Sequence, residues 1–583
     1  MKVSDVVAKV LAEHVKHIFC ISGGASLHLI HSIAKQEGLN YVCPQNEQAA
    51  GFQADAYARL AGFGCALATS GPGATNLITP IATSYYDSIP VLYITGQQTR
   101  DRLSGDSGVR QLGFQETPIC DIVRPITKYA KTVMLESDVE WELRKAIRIA
   151  KERRPGPVLI DIPDDLQRAR SVLPPVIDAP EPYYESDAPV DDILGELNRA
   201  KRPLFIFGSA VGDVENAKRI MFNLGIPCVT TWGALDRFAD YPLCFGGFGT
   251  HGVRYANFAV QNADYIVTVG TRLDTKATGS PARAFAPKAK LVMVDIDQAE
   301  LGKMQRIGRP LYRAVRSDAR EFLSSLSVAA STYSSYNDAF DGPNWEQALS
   351  SDWVQQCVAW REKYGAVLPA YASERLNPYT FVSKLGEWLR PDDVIVSDTG
   401  CALGWMMQAF KFTGQKFIHA WNNTPMGYGL PAAVGACFAH PDRRVILITG
   451  DGGLAVNITE FATVARHALN LKIILFNNRG HAMCRQTQRT WLGGEYPSTS
   501  HDGGLATPDY WAIASAYGIP SILAKTMEQA ESAFMAQLLS PRATFLDLQI
   551  DPDYQIVPQV RAGKLLHDAD PALPREEIER IMA

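Results

Sequence analysis

The chain has 583 residues, 46% hydrophobic and 20% charged, with 45 Gly and 35 Pro; this suits three or four compact units and excludes a single small binding module and a disordered, collagenous or coiled-coil protein. Its 57 basic and 62 acidic side chains give a formal charge of −5, leaving no basic surplus to neutralise a phosphate backbone, so nucleic acid is not an expected partner. No apolar run reaches the roughly 18 residues of a spanning helix, and the ten cysteines lack a C-x-x-C or other close spacing, which predicts no membrane partner and reduced, mostly structural thiols in a cytoplasmic enzyme.

In chain order, MKVSDVVAKVLAEHV carries Asp5 and Glu13 and sets Val3, Val6, Val7, Val10 and Leu11 on one face, which predicts an amphipathic helix and not a secretory signal. Apolar runs at HIFCIS (17–22), CALATS (65–70), VLYITG (91–96) and VLIDIP (158–163) read as buried strands separated by helical spacing, the alternation of a parallel α/β sheet. The Pro-rich, acidic stretch over about 170–188 reads as a linker. Alternation resumes at PLFIFGSA (203–210), CVTTWG (228–233), DYIVTVGTRLD (264–274) and KLVMVDID (290–297). A Ser- and Tyr-rich region, 325–344, forms a second boundary, and helical patterns occupy about 346–390. A third series follows at DVIVSD (393–398), RVILITGDGG (444–453), KIILFNN (472–478) and TFLDLQI (544–550). The expectation is an α/β protein of three doubly wound parallel-sheet domains, at 1–170, 188–340 and 362–560, with a C-terminal tail at 561–583.

Chemistry concentrates in residues 443–483. One buried strand ends in Gly450-Asp451-Gly452-Gly453, a helix begins, and the next strand ends in Asn477-Asn478, with Asn478 27 residues beyond Asp451. Parallel strands deliver both ends to the same carboxyl edge, where ligands sit in doubly wound folds. A carboxylate and an amide oxygen suit a hard cation such as Mg²⁺ bridging a diphosphate, and the N–H groups of Gly452 and Gly453 at a helix start suit its oxygens. Taken alone, GDGG reads equally as a strand-to-helix turn; the paired asparagines favour the metal.

GDG, about two dozen residues and then NN is similar to the thiamine diphosphate fingerprint. The stretch from YVCPQNEQAAGFQADAYARLAGFGCALATSGPGATN to DSIPVLYITGQ (41–97) resembles the pyrimidine-binding domain of acetolactate synthases. Nearly the whole chain follows that family's order, so the resemblance implies a pyrimidine-binding, a central FAD-binding and a diphosphate-binding domain, with thiamine diphosphate, Mg²⁺ and FAD as cofactors. It implies Glu47 as the catalytic acid, hydrogen-bonded to the aminopyrimidine ring nitrogen and favouring the imino tautomer that takes the thiazolium C2 proton. On its residues alone, Glu47 reads more readily as a dipole-favoured acid in a first helical turn; the surrounding resemblance is what favours catalysis.

Pro72 and Asn76 in SGPGATN resemble residues lining the pyrimidine, and Met426 in NNTPMGYG resembles the wedge that bends the cofactor. Gly400 is placed with the cofactor, Gly480 is expected to offer its carbonyl to the metal beside Asp451 and Asn478, and His481 and Met483 lie in the covering loop. Phe114 and Gln115 belong to the catalytic set. In the central domain GGFGTHG, VGTRLD, VDIDQAE and RSDA resemble FAD segments; the resemblance assigns Gly249 and His251 to the flavin, Arg272 to the ribityl or phosphate groups, Asp295 to the ribose, Asp318 to the adenine end, and Gly208, Thr231 and Gly270 to the same ligand. It also implies a homodimer or homotetramer with active sites at the subunit interface.

Four departures fall around this site. The family's Gly-Gln-His-Gln is here Gly400-Cys401-Ala402-Leu403, its substrate-selecting Trp corresponds to Thr487, and its Arg after the flavin segment to Lys276, which lacks the planar fork that holds a carboxylate. A longer loop, QTRDRLSGDSGVRQLG (98–113), joins Gln97 to Phe114-Gln115; it reads either as a solvated surface loop or as a substrate contact through Arg100, Arg102 and Arg110. With Gly24, Lys276 and Thr487 on the substrate side, the altered acceptor half favours a carboligase that decarboxylates pyruvate and joins the two-carbon unit to a ketone, a nucleotide-linked keto-deoxysugar being the favoured acceptor. Acetolactate synthesis from two 2-keto acids, and a lyase or hydrolase of 2-hydroxyketones or cyclic diketones, are the alternatives.

Overall fold

The computed structural model describes residues 1–171, 188–333, 351–373 and 375–583; most of the expected linker and part of the second boundary, at 172–187 and 334–350, lie outside them. Buried β-branched and aromatic runs make three six-stranded parallel sheets. The first contains β1 (His17–Cys20), β2 (Asn40–Val42), β3 (Gly64–Ala68), β4 (Val91–Gln97), β5 (Tyr129–Thr132) and β6 (Val158–Pro163), in the order β2-β1-β3-β4-β6-β5. The second contains β7 (Pro203–Phe207), β8 (Cys228–Thr230), β9 (Cys244–Gly247), β10 (Tyr265–Val269), β11 (Lys290–Asp295) and β12 (Arg313–Arg316), in the order β12-β11-β10-β7-β8-β9. The third, with β13 (Val394–Ser397), β14 (Lys416–Ile418), β15 (Val445–Gly450), β16 (Leu471–Asn477), β17 (Ser521–Ala524) and β18 (Thr544–Gln549), runs β14-β13-β15-β16-β18-β17 and so repeats the topology of the first. Inner strands β4, β6 and β16 are buried along their whole length, as strands covered on both faces must be. The doubly wound α/β expectation holds for all three.

The chain divides into two compact units. One comprises Met1–Glu181, Asp393–Leu403 and Ile418–Pro552, with the first sheet and the core of the third; the other comprises Pro182–Asp392, Gly404–Phe417 and Asp553–Ala583, with the second. The segment expected as a C-terminal tail thus belongs to the second unit. It carries the helix Arg575–Met582, and just before it the Arg254 guanidinium donates to the carbonyls of Ala569 and Pro571.

In the first unit, Val3, Val6, Val7, Val10 and Leu11 of the helix Val3–Ala12 are all buried, as their spacing predicts. The helix Glu47–Ala61 starts on Asn46, whose side chain accepts the Ala49 N–H, and ends at Gly62 with φ +84°, a left-handed cap that suits glycine. It packs against the helix Gly429–Ala439 so closely that a Cβ on Gly435 would lie 2.2 Å from the Gln53 carbonyl oxygen. The small residues of AAGFQADA and GLPAAVGA make that approach possible. Among the described residues, no helix is long and apolar enough to cross a membrane.

Candidate active site

A ligand crevice in a doubly wound sheet lies beyond the strand carboxyl ends where the winding reverses. The strand orders place these points between β1 and β3, β7 and β10, and β13 and β15. Gly24 and Pro72 follow the first pair, Gly208 and Gly270 the second, Gly400 and Asp451 the third.

At the third point Asp451 is only 3% exposed. Its Oδ1 accepts the Gly452 N–H and its Oδ2 the Gly480 N–H, each at 2.8 Å. Burial outweighs these bonds and pushes the carboxyl up to about 7. Asn478, just past the end of the neighbouring strand β16, is also buried, and its Nδ2 has no hydrogen-bond partner. A buried carboxylate and the Asn478 amide oxygen are the oxygen donors that a hard ion takes. A Cβ on Gly452 would lie 2.4 Å from the His481 ring and 3.4 Å from the Met426 methyl, so Gly452, His481 and Met426 share one cradle that a larger side chain would fill. Met483 is half-buried one turn into the helix Ala482–Trp491.

The sequence reading missed Asp398, at the end of β13. It is buried and accepts N–H groups from Thr399 (2.8 Å), Gly429 (3.0 Å) and Gly427 (3.3 Å), and burial pushes it up to about 6. A Cβ on Gly453 would lie 2.8 Å from this carboxyl, which explains the second glycine of the pair. The signal was present in Asp398-Thr399-Gly400, a strand-ending acid followed by glycine as in GDGG. Gly400 has φ +88°. Cys401 starts the next helix, and Cys401, Ala402 and Leu403 are buried.

In the same unit, Glu47 stands at the first turn of its helix, half-buried, and its Oε2 accepts the Asn76 Nδ2–H at 2.8 Å. Pro72 opens the short helix Pro72–Asn76 that presents Asn76. A Cβ on Gly73 would lie 3.4 Å from Glu47 Oε1. Gln115, at φ +62°, packs against Gly71, whose Cβ position lies 2.9 Å from the Gln115 Cβ; Phe114 beside it is 80% exposed. Asn457, also unforeseen, joins the two halves: its Oδ1 accepts from Asn46 Nδ2 (3.1 Å) and its Nδ2 donates to the Gly427 carbonyl (2.8 Å). Glu460 accepts the Gln45 N–H (2.7 Å) and the Gln53 Nε2–H (2.9 Å). Glu47 and Met426 are therefore sequence neighbours of two residues, Asn46 and Gly427, that bond the same asparagine.

On the substrate side, Gly24 starts the short helix Gly24–Ser26. Thr487 is exposed, its hydroxyl donating to the Met483 carbonyl at 3.2 Å. The 98–113 loop is anchored by Glu116, which accepts from Ser104 and from the Leu112 N–H. Arg100, expected to meet an acceptor, is instead paired with Asp165 (2.7 Å) and Glu136 (2.9 Å).

The second unit shows the strand order of a dinucleotide-binding fold, 3-2-1-4-5-6 in its own succession. Its two reversal loops meet closely: Cβ atoms on Gly208 and Gly270 would lie 2.1 Å from the Gly270 oxygen and 2.4 Å from the Ala210 carbonyl carbon. Thr231 follows β8, its N–H donating to the Phe207 carbonyl (2.9 Å). Gly249, at φ +113°, packs on the Lys276 carbonyl, which accepts the Thr250 N–H at 2.8 Å; the Lys276 side chain is exposed. His251 is buried between Thr250 Oγ1 (3.1 Å) and Gln559 Nε2 (3.0 Å), and desolvation lowers it to about 3, so it is neutral. Arg272 pairs with Glu300 at 2.9 Å. Asp295 and Asp318 each accept a backbone N–H, from Asp297 and Arg320. The glycine-lined crevice fits a flavin nucleotide.

Residues 1–123, 190–326 and 398–548 match, respectively, the N-terminal TPP binding domain, the central domain and the C-terminal TPP binding domain of the thiamine pyrophosphate enzymes. The acetolactate synthase large subunit of Parasynechococcus marenigrum (strain WH8102) is 33% identical over 569 residues, 94% of this chain and 87% of that one. That of Porphyra purpurea is 33% identical over 94% of this chain and 92% of its own, and the chloroplastic acetolactate synthase 1 of Nicotiana tabacum is 31% identical over 97% and 84%. With three domains matched in order and relatives aligned almost end to end, the chain belongs to the thiamine pyrophosphate enzymes, as a thiamine pyrophosphate-dependent carboligase or transferase of the acetolactate synthase-like family.

Proposed function

We propose that this enzyme makes a 2-acetolactate-type product: pyruvate loses CO₂ and its two-carbon unit is joined to the carbonyl of a second 2-keto acid. The observation that carries this reading is the alignment, over 94% of the chain, with proteins named acetolactate synthase. It displaces the keto-deoxysugar acceptor from first place. Arg100 argues the same way, since its pairing with Asp165 and Glu136 removes one cation from any site for a nucleotide diphosphate.

Thiamine diphosphate, when bound, supplies the carbanion chemistry that decarboxylation of a 2-keto acid requires. Asp451, Asn478 and the Gly480 carbonyl would hold Mg²⁺ against its diphosphate, with the Gly453 N–H offered to a phosphate oxygen, while the Gly452 N–H, expected in the same role, is engaged by Asp451 Oδ1. Met426, beside Gly452 and His481, would give the cofactor an apolar contact. Glu47 holds and passes a proton at its carboxyl, and the Asn76 amide fixes which oxygen is free to do so. Gly208, Thr231, Gly249, His251, Gly270, Arg272, Asp295 and Asp318 would hold FAD; carboligation involves no net redox change, so the flavin serves structure. A cytoplasmic homodimer or homotetramer, with Glu47 of one chain serving the diphosphate site of another, completes the proposal.

One observation favours a second reading. Thr487 is small and exposed where the family carries a substrate-selecting tryptophan, which leaves room for a bulkier ketone such as a nucleotide-linked keto-deoxysugar. Product analysis decides between them. The first reading expects steady acetolactate formation from pyruvate alone, undiminished by a keto-sugar nucleotide. Slow turnover alone, accelerated by that nucleotide with a branched sugar as product and reversed by Thr487→Trp, would overturn it.

A further inference from the structure

The cysteines carry no pairing signal in the sequence, but strand register creates one. β1 and β2 run parallel with Phe19 opposite Val42, so the next residues in register are Cys20 and Cys43. Neighbouring strands lie roughly 4.8 Å apart, inside the roughly 4.4–6.8 Å Cα window of a disulfide, and residues in register emerge on the same face. Each thiol acts on the other, holding Cys43 below the ordinary range and pushing Cys20 up. Cys20 is 1% exposed, whereas Cys43 is open to solvent. Cys228 and Cys244 form a similar pair across β8 and β9, but Cys228 is buried and Cys244 only partly exposed, so that pair lacks an equally open sulfur.

We propose that Cys43 is a site of reversible thiol oxidation by hydroperoxides, with Cys20 as its resolving thiol. The Cys43 thiolate attacks the terminal oxygen of a hydroperoxide, forming the S–O bond of a sulfenic acid and breaking O–O, with water or an alcohol leaving after protonation. The Cys20 sulfur then displaces hydroxide from Cys43; the Cys20 proton leaves with it as water, and one S–S bond remains. The hydroperoxide has taken two electrons, one from each sulfur. Only Pro44, Gln45 and Asn46 separate Cys43 from Glu47, while the Gln45 N–H and the Asn46 side chain are held by Glu460 and Asn457. Covalent closure draws Cys43 towards the end of β1 against those anchors, and the displacement reaches Glu47.

The test treats the whole cofactor-loaded protein with hydrogen peroxide, alkylates remaining thiols under denaturing conditions, and reads non-reduced peptides by mass spectrometry. A peptide pair linked through Cys20 and Cys43, removed by dithiothreitol, is expected. Proton exchange at C2 of the bound thiamine diphosphate should fall by roughly tenfold or more, since small misplacements at a catalytic group cost that much, and recover on reduction. Cys43→Ser should keep its basal exchange rate and resist peroxide. Cys20→Ser should lose exchange irreversibly, as unresolved Cys43 passes to the sulfinic acid. An unmodified Cys43 in oxidised wild-type protein, or a Cys43→Ser variant as sensitive to peroxide as wild type, overturns the proposal; the wild-type peptide map decides even if a variant does not fold.

Discussion

The proton-transfer role proposed for Glu47 rests on its neighbours more than on the residue itself. Its helix start is fixed by the Asn46 cap, one carboxylate oxygen is taken by Asn76 and the other faces the Gly73 backbone. Glu47→Gln preserves shape and the Asn76 contact but cannot deliver the proton, so C2 exchange of bound thiamine diphosphate should slow by ~10²–10⁴-fold with cofactor affinity little changed; deuterium exchange under saturating cofactor measures it. Glu460 offers a pH prediction. Its carboxyl is buried and raised to about 7, chiefly by desolvation. An acid whose folded pKa exceeds its unfolded one binds its proton more tightly when folded, so its penalty is present above about pH 7 and is relieved as pH falls towards the ordinary carboxylate range. The thermal midpoint should therefore rise between pH 8 and pH 6, and Glu460→Gln should flatten that dependence. Asp161 and Asp398, both raised to about 6 by burial, act in the same direction at slightly lower pH.

At the scale of elements, the helices Glu47–Ala61 and Gly429–Ala439 meet backbone to side-chainless backbone. With a Cβ on Gly435 only 2.2 Å from the Gln53 oxygen, and no flexible side chain there to yield, Gly435→Ala must push the helices apart. Overpacking of this kind costs about 1–3 kcal/mol; the unfolding midpoint should drop by several degrees and C2 exchange should slow, because Glu47 rides on the displaced helix. Calorimetry with exchange measured on the same sample checks both. The 98–113 loop shows the opposite design: its position depends on Glu116 accepting from Ser104 and Leu112 and on Arg100 bridging Asp165 and Glu136, so its basic residues are not all available to a ligand.

Across the whole molecule, the second sheet has the winding and glycine loops of a dinucleotide site while the first and third repeat one another. The purified protein should be yellow and release one FAD per chain on denaturation. Arg272→Ala should lower that occupancy through the lost cation, while Glu300 gives up its 2.9 Å contact with Arg272 and keeps Lys303 at 2.5 Å. Absorbance at the flavin band against protein concentration measures the effect; a colourless wild type that takes up no added FAD would remove flavin from the proposal. Sedimentation of the same sample should find a dimer or tetramer.

The sequence by itself determined the inner framework. Every strand read from an apolar run, including β1, β3, β4, β6, β7, β8 and β16, is an interior strand of its sheet, because burial on both faces leaves a continuous hydrophobic stretch. The strands it did not show, β2, β5, β9, β12, β14 and β17, are the six sheet edges; β5, β12 and β17 have at most one fully buried position each, so they leave no such run. The proposed site residues Asp451, Asn478 and Glu47 could be picked out because strand ends and helix starts put them into short motifs. Asp398 left a local signal in Asp398-Thr399-Gly400 that went unread, but Asn457 and Glu460 left none, since their partners lie far along the chain, 411 residues away for Asn457 and Asn46 and 415 for Glu460 and Gln45. The same reason hid Cys20 beside Cys43 and tied up Arg100. Local pattern records what each segment buries, whereas only the assembled sheets decide which distant side chains share a hydrogen bond, a carboxylate or a pair of sulfurs.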